Sequence, residues 1–444
     1  VRPSNTKRWL VGLTLLAVLL FAAYLWLVPL LRIGAGYAAK HACSCHFLQG
    51  RELEDIRVQD LNFSVLPYVR LSEKNNLVQA SFFGLVDRHA HLIPGRGCVL
   101  INDTELPLPL DVATEDGRRR AGAEGDGMAY GLPPNAKLQS ALDYGMRAVP
   151  GGGARGIVVL HYGELVAERY AEGFDRNTPL LGWSMTKTLI GLLVGRELRS
   201  FVRPPGSLSD PTEEANLFPD IWTDDRARIT LADLLHMNSG LAWNEGYGSL
   251  TDATVMLHER PDFAEFALHS RLVAAPGTEW NYSSGTTNIL TEYLSRRAGG
   301  NENLYARIDT TLGRVAPSLL IEPDQSGRPV GSSYGWATAR DWARLGQLML
   351  QEGQWEGGQL IPAEWFAYMR QPAEGSEGTY GAQLWLPGPA MPSLPPDAFM
   401  MRGFQDQRVF VIPSKQLVVA RLGHGEDKVT DFDGFMERIL AAYD

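Results

Sequence analysis

Gly182-Trp183-Ser184-Met185-Thr186-Lys187-Thr188-Leu189-Ile190 is the stretch on which the reading of the fold turns. From Thr186 to Leu198 the apolar residues Leu189, Ile190, Leu192, Leu193 and Val194 cover nearly every face of a helical wheel, which predicts a buried helix. Ser184 stands at its first turn, where free backbone N–H groups and the positive end of the helix dipole favour developing negative charge. Lys187 is three residues on and therefore shares a face with the Ser184 hydroxyl. Buried against Leu189 and Leu193, its ammonium is expected to hold its proton less tightly and to accept the proton of the serine. A serine cap followed by a surface lysine would spell the same pattern; the apolar helix behind Lys187 favours chemistry over that reading. The surrounding letters are G-x-S-x-T, so the second glycine of a hydrolase nucleophile elbow is missing.

Working outward, Arg155–Tyr170 alternates as a β-hairpin turning near Tyr162-Gly163-Glu164, and Val409–Pro413 with Leu417–Leu422 reads as a last hairpin. Arg340–Glu352 and Phe435–Tyr443 carry helical spacing. A strand pair, a long helical middle, a second strand pair and a closing helix predict an α+β fold: an antiparallel sheet flanked by helices, with a helical domain beside it. About 100 residues after Ser184 comes a turn-rich, hydroxyl-dense loop, Pro276-Gly277-Thr278-Glu279-Trp280-Asn281-Tyr282-Ser283-Ser284-Gly285-Thr286-Thr287, which opens a helix.

Together the S-x-x-K helix and the Y-x-S loop resemble the serine β-lactamase and DD-peptidase superfamily, above all its class C-like esterase and 6-aminohexanoate-dimer (nylon oligomer) hydrolase branch. Thr230–Gly240 is similar to that family's "LLxMxSGL" segment, and Tyr334–Arg344 to its "ataRDxAR" helix start. The resemblance covers residues 130–444 and implies a β-lactamase/transpeptidase-like fold. It makes Ser184 the nucleophile, Lys187 its base or proton relay, and Tyr282 the acid/base for the leaving group; Ser284 matches the serine that replaces asparagine in the nylon-oligomer branch. Where β-lactamases carry K-T-G, this chain has Met401-Arg402-Gly403-Phe404. The backbone N–H groups of Ser184 and Phe404 are then the expected oxyanion donors, a role that needs no particular side chain. Arg402 stands where the family lysine supplies charge, and Gly403, Trp243 and His424 join Ser284 as expected substrate-binding residues. His236, Asp233 and Asp341 are read as structural. The implied reaction is acyl transfer to water from an ester or linear amide, with no cofactor and no metal. The alternatives are a β-lactamase or DD-peptidase, and a non-catalytic, penicillin-recognising envelope protein.

Upstream, Lys7 and Arg8 precede an uncharged run from Trp9 to Leu31 that closes at Arg32. At 1.5 Å per residue the run spans roughly 35 Å, enough to cross a bilayer, with Trp9, Tyr24 and Trp26 as interfacial anchors. We therefore expect a cytoplasmic tail (1–8) and a single-pass signal anchor (9–31). A small strand-containing extension with a linker (32–127) and the hydrolase domain (128–444) would follow, held by the inner membrane on its periplasmic or outer side. Thr114–Gly127, rich in Gly, Arg and acids, reads as the linker. Export permits a disulfide. One of Cys43 and Cys45 is expected to pair with Cys98, and Cys43 is our assignment; the competing reading is a Cys-x-Cys metal site with His41, His46, His89 or His91. A net charge of −10 over 444 residues, with its one dense basic run at Arg118–Arg120, excludes a nucleic-acid partner.

Overall fold

The computed structural model describes residues 5–102, 128–198, 214–426 and 428–443. The expected linker Thr114–Gly127 lies outside them.

Strands in chain order are β1 (Arg70–Lys74), β2 (Leu77–Phe82), β3 (Val86–Ile93), β4 (Gly97–Ile101), β5 (Gly153–His161), β6 (Glu164–Tyr170), β7 (Pro179–Leu181), β8 (Leu320–Ile321), β9 (Gly335–Thr338), β10 (Gln354–Trp355), β11 (Gly358–Gln359), β12 (Phe399–Gly403), β13 (Gln407–Ile412) and β14 (Leu417–His424). The central antiparallel sheet runs β12-β13-β14-β5-β6. Both expected hairpins are in it, and the first turns at Tyr162 and Gly163, each with positive φ. Helix Ala339–Leu350 lies against β5, β13 and β14, while Ala136–Gly145 and Phe432–Leu440 pack together with β5 on the sheet. The helix that follows Ser184, Met185–Glu197, is buried along nearly its whole length between the sheet and the helices Ser284–Ala298 and Asn301–Val315. Its burial on every side is what the all-round apolar pattern requires.

The N-terminal region differs from expectation in one respect. The apolar run does not end its helix at Arg32: one helix runs from Asn5 to Gln49. Its side chains are exposed over the described positions from Trp9 to Leu27, half-buried at Val28–Leu30, and largely buried from Leu31 to Cys45. Gly36 serves close packing: a Cβ there would stand 3.0 Å from the Cβ of His258. The charges that follow the apolar run are paired, Arg32 with Glu259 at 2.8 Å and the buried Lys40 with Glu322. The helix lies across the four-stranded sheet β1-β2-β3-β4, and Cys43 is bonded to Cys98 at a sequence separation of 55; Cys45 is the free, buried thiol. Trp336 of β9 belongs to the same apolar cluster as this extension, so the extension is packed onto the part of the molecule that holds β9.

Candidate active site

Gly182 is tied to β9 by donating its N–H to the Gly335 carbonyl at 2.8 Å, and the chain then turns into the helix Met185–Glu197. Trp183 makes that turn with φ +48°, a left-handed conformation that a bulky residue adopts only under constraint. Its ring is packed by Tyr37 (centroids 6.1 Å apart, planes 7° apart), Tyr334 and Phe404, and its indole N–H donates to Gln405 at 3.1 Å. Ser184 follows as the helix cap, and no side-chain capping bond consumes its hydroxyl. The second helix starts from Ser283, which caps it by accepting from the Thr286 N–H at 2.9 Å. Gln383 clamps the two helices: its carbonyl accepts from the Thr188 hydroxyl and its side-chain oxygen from Thr287, at 2.7 and 2.8 Å.

This framework brings the three expected residues together. The Lys187 amine donates to the Ser184 hydroxyl at 3.0 Å, to the Ser284 hydroxyl at 2.8 Å and to the Ser332 carbonyl at 2.9 Å. Lys187 is 1% exposed, and burial brings its ammonium down to about 8 against the opposing pull of the Glu245 carboxylate. The Tyr282 ring lies 5.1 Å from the Lys187 amine, and Ser184 is among the groups near enough to act on its phenol. Burial, seconded by Glu245, pushes that phenol well above the usual range, so Tyr282 stays a neutral proton donor.

Glu245 was not foreseen from the sequence. Its carboxylate accepts from the Ser284 N–H (2.8 Å) and hydroxyl (2.5 Å), from the Trp243 indole (2.5 Å) and from the Tyr247 hydroxyl (2.6 Å). The one signal was its place in an aromatic-rich loop, Trp243-Asn244-Glu245-Gly246-Tyr247.

The remaining expected residues divide. Gly403 lets β12 run against the turn at Trp183, since a Cβ there would stand 2.1 Å from the Gly182 carbonyl oxygen. That contact sets Phe404 beside Trp183, and among the described residues no acceptor is engaged by the backbone N–H of Ser184 or Phe404. Arg402 stacks over Trp385 at 4.7 Å, and its charge bears on Tyr282. Trp243 borders the site through Glu245. Ser284, expected to touch substrate, is fully buried with its hydroxyl between Lys187 and Glu245, and holds the lysine instead. His424 is brought elsewhere. It is buried behind Trp183, its ring 6.3 Å from His41 and 6.5 Å from Phe63, and burial with Arg155 nearby keeps it neutral, down to about 3. The β14–β5 register shifts between Leu422 and Gly423, and such a bulge re-aims the residues beyond it. His236, Asp233 and Asp341 are structural as expected: Asp233 completes a capping box with Thr230, Asp341 accepts from Ser318, and His236 packs on Tyr368.

A cleft of about 600 Å³ lined by Arg260, Asp262 and His269 contains none of these groups. His41, Cys45 and Asp60 approach within 4.8 Å of one another at metal-ligand spacing. The Asp60 oxygens, however, already accept from Arg51, Arg155 and His41, so two guanidinium groups occupy the lone pairs and charge that a cation would need.

Comparison with known proteins bears on the family and the fold. The family model described as Beta-lactamase matches residues 138–443. The 6-aminohexanoate-dimer hydrolase of Paenarthrobacter ureafaciens is 25% identical over 263 residues, which are 52% of this chain and 64% of that enzyme's length. Among solved structures, a Bacillus anthracis protein provisionally named 6-aminohexanoate-dimer hydrolase superposes with a TM-score of 0.56 at 20% identity, over 71% of this chain and 88% of that one. A penicillin-binding protein homologue from Caulobacter crescentus gives 0.54 at 17% identity, over 70% and 99% of the two chains. A family VIII carboxylesterase gives 0.52 at 14%, over 70% and 98%. With the family model matching more than half of its length, this chain belongs to the beta-lactamase family.

Proposed function

We propose that the protein is a membrane-anchored hydrolase that cleaves a carboxylic ester or linear amide through an acyl-enzyme on Ser184; relatives named 6-aminohexanoate-dimer hydrolase and carboxylesterase support the hydrolase reading. The observation that carries this reading is the buried contact of Lys187 with Ser184 at 3.0 Å, closed over by the Tyr282 phenol. With two of its hydrogen bonds directed to Ser284 and Ser332, a neutral Lys187 amine turns its lone pair toward the Ser184 hydroxyl. It takes the serine proton as the oxygen attacks the substrate carbonyl. The N–H groups of Ser184 and Phe404 stabilise the tetrahedral oxyanion; one such donor is worth about 2.7–4 kcal/mol. The proton passes through Tyr282 to the leaving alcohol or amine, the C–O or C–N bond breaks, and the acyl group remains on Ser184. A water then attacks the ester, Lys187 takes its proton, and Ser184 leaves as the hydroxyl while the acid departs. The helix from Trp9 to Leu31 is the anchor, with the catalytic part on the far side of the membrane from the N-terminus.

The test is turnover of a p-nitrophenyl ester by the full chain in detergent. Ser184→Ala and Lys187→Ala are expected to lose it; turnover by Ser184→Ala equal to wild type overturns the assignment. Arg402, set where the family's K-T-G lysine stands and stacked over Trp385, favours one second reading, a carboxylate-bearing substrate such as a β-lactam. Hydrolysis of nitrocefin faster than of the ester would select it.

A further inference from the structure

We propose that the tip of the extension's sheet, Phe83-Gly84-Leu85 with Val65 and Tyr68, is a second membrane contact, seated in the interfacial layer of the bilayer that the N-terminal helix enters; this rests on the anchor reading above. The placement follows from the register. The Cys43–Cys98 bond fixes the start of β4 beside residue 43 of the helix, and Leu100 reaches the Gly36 position. Because β3 pairs antiparallel with β4, His89 opposite Ile101, the beginning of β3 at Val86 and the β2–β3 turn lie further toward the membrane end of the helix. Phe82 and Leu66 accordingly meet Gly34, at 3.4 and 3.6 Å from where its Cβ would stand. Leu31 is buried and Leu27 is not, so the helix leaves the protein core within about two turns of this point.

At that level the β2–β3 turn and the short 3-10 turn before β1 present apolar side chains to the outside: Tyr68 is 68% exposed, Phe83 63%, Leu85 53% and Val65 37%. Tyr68 and Phe83 stand together with ring centroids 6.4 Å apart. Phe83 sits in the turn with φ +55°, where Gly, Asn or Asp is the unstrained choice. In water the chain would carry both that strain and an exposed ring. In the headgroup layer the ring is buried among acyl chains, and a tyrosine has an apolar body and a polar end to match the boundary. Arg70, exposed beside the tip where it pairs with Ser81, is placed to reach lipid phosphates.

The test uses the full chain in phosphatidylglycerol–phosphatidylethanolamine vesicles, with a nitrobenzoxadiazole label on Leu85→Cys and, for comparison, on Tyr162→Cys, at the exposed β5–β6 turn. Cys45, buried, is the free native thiol. The label at 85 is expected to be blue-shifted and quenched several-fold more by doxyl lipid than by aqueous iodide, with the reverse at 162. Protein that stays with the vesicles through an alkaline carbonate wash while the label at 85 is quenched by iodide as fully as that at 162 overturns the proposal alone. Release of the protein by the wash overturns the anchor, and the second contact with it.

Discussion

Lys187 is the residue through which the site's electrostatics act. A buried ammonium with three oxygen acceptors has little reason to leave the charged state except the cost of burial, and that cost outweighs the field of Glu245. Below about 8 the amine carries its proton and cannot take that of Ser184, so kcat/KM for an ester should fall as pH drops through about 8 and level off above it. Glu245 raises the lysine; Glu245→Gln should therefore move the inflection to lower pH, and a pH–rate profile of the two proteins reads the shift. An inflection that stays in place would show that the carboxylate acts only as a hydrogen-bond acceptor. Ser184, Lys187 and Tyr282 were legible because helical spacing or a local motif carries each. Glu245 was not, because its role comes from four donors on the 243–247 loop and at Ser284, which only folding brings around one carboxylate.

At the scale of elements, the N-terminal helix reaches the site from behind. Its Tyr37 stacks on Trp183, the residue whose left-handed turn delivers Ser184 to the head of the nucleophile helix. Strain of this kind amounts to about 1–3 kcal/mol and persists only where neighbours enforce it. Tyr37→Ala should lower kcat about tenfold, the effect of 1.4 kcal/mol, with KM little changed, and Tyr37→Phe should restore it, since the ring is what packs. Steady-state kinetics on both variants decide this; equal losses in the two would place the effect in the hydroxyl. The sequence pattern disclosed the two hairpins and the buried helix because period and turn chemistry are local. It marked the apolar run as closing at Arg32 and gave no sign that the helix continues to Gln49. Here Glu259 and Glu322 pair the charges, and His258 and Leu100 fill the space a side chain at Gly36 would take. His424 was misplaced for a similar reason: one bulge, at Arg155 of β5 opposite Leu422 and Gly423, is invisible in the letters and shifts the register at the end of β14.

For the whole molecule, the extension, the disulfide and the catalytic part behave as one packed body. The Cys43–Cys98 bond closes a loop of 55 residues, which by chain entropy corresponds to about 4 kcal/mol. Cys98→Ser should lower the melting temperature of the whole protein by several degrees in a thermal scan, with catalytic activity lost in the same transition. Separate transitions for the extension and the esterase activity would contradict a single body. The enzymatic account itself rests on one oxygen that a lysine can strip of its proton. Its most direct measurement is intact-mass and peptide-mass spectrometry of the full chain after exposure to a fluorophosphonate. The account predicts a single adduct on the peptide containing Ser184, absent from Ser184→Ala and much slower to form in Lys187→Ala. An adduct of equal yield in Ser184→Ala, or one carried by another residue in the wild type, would contradict it.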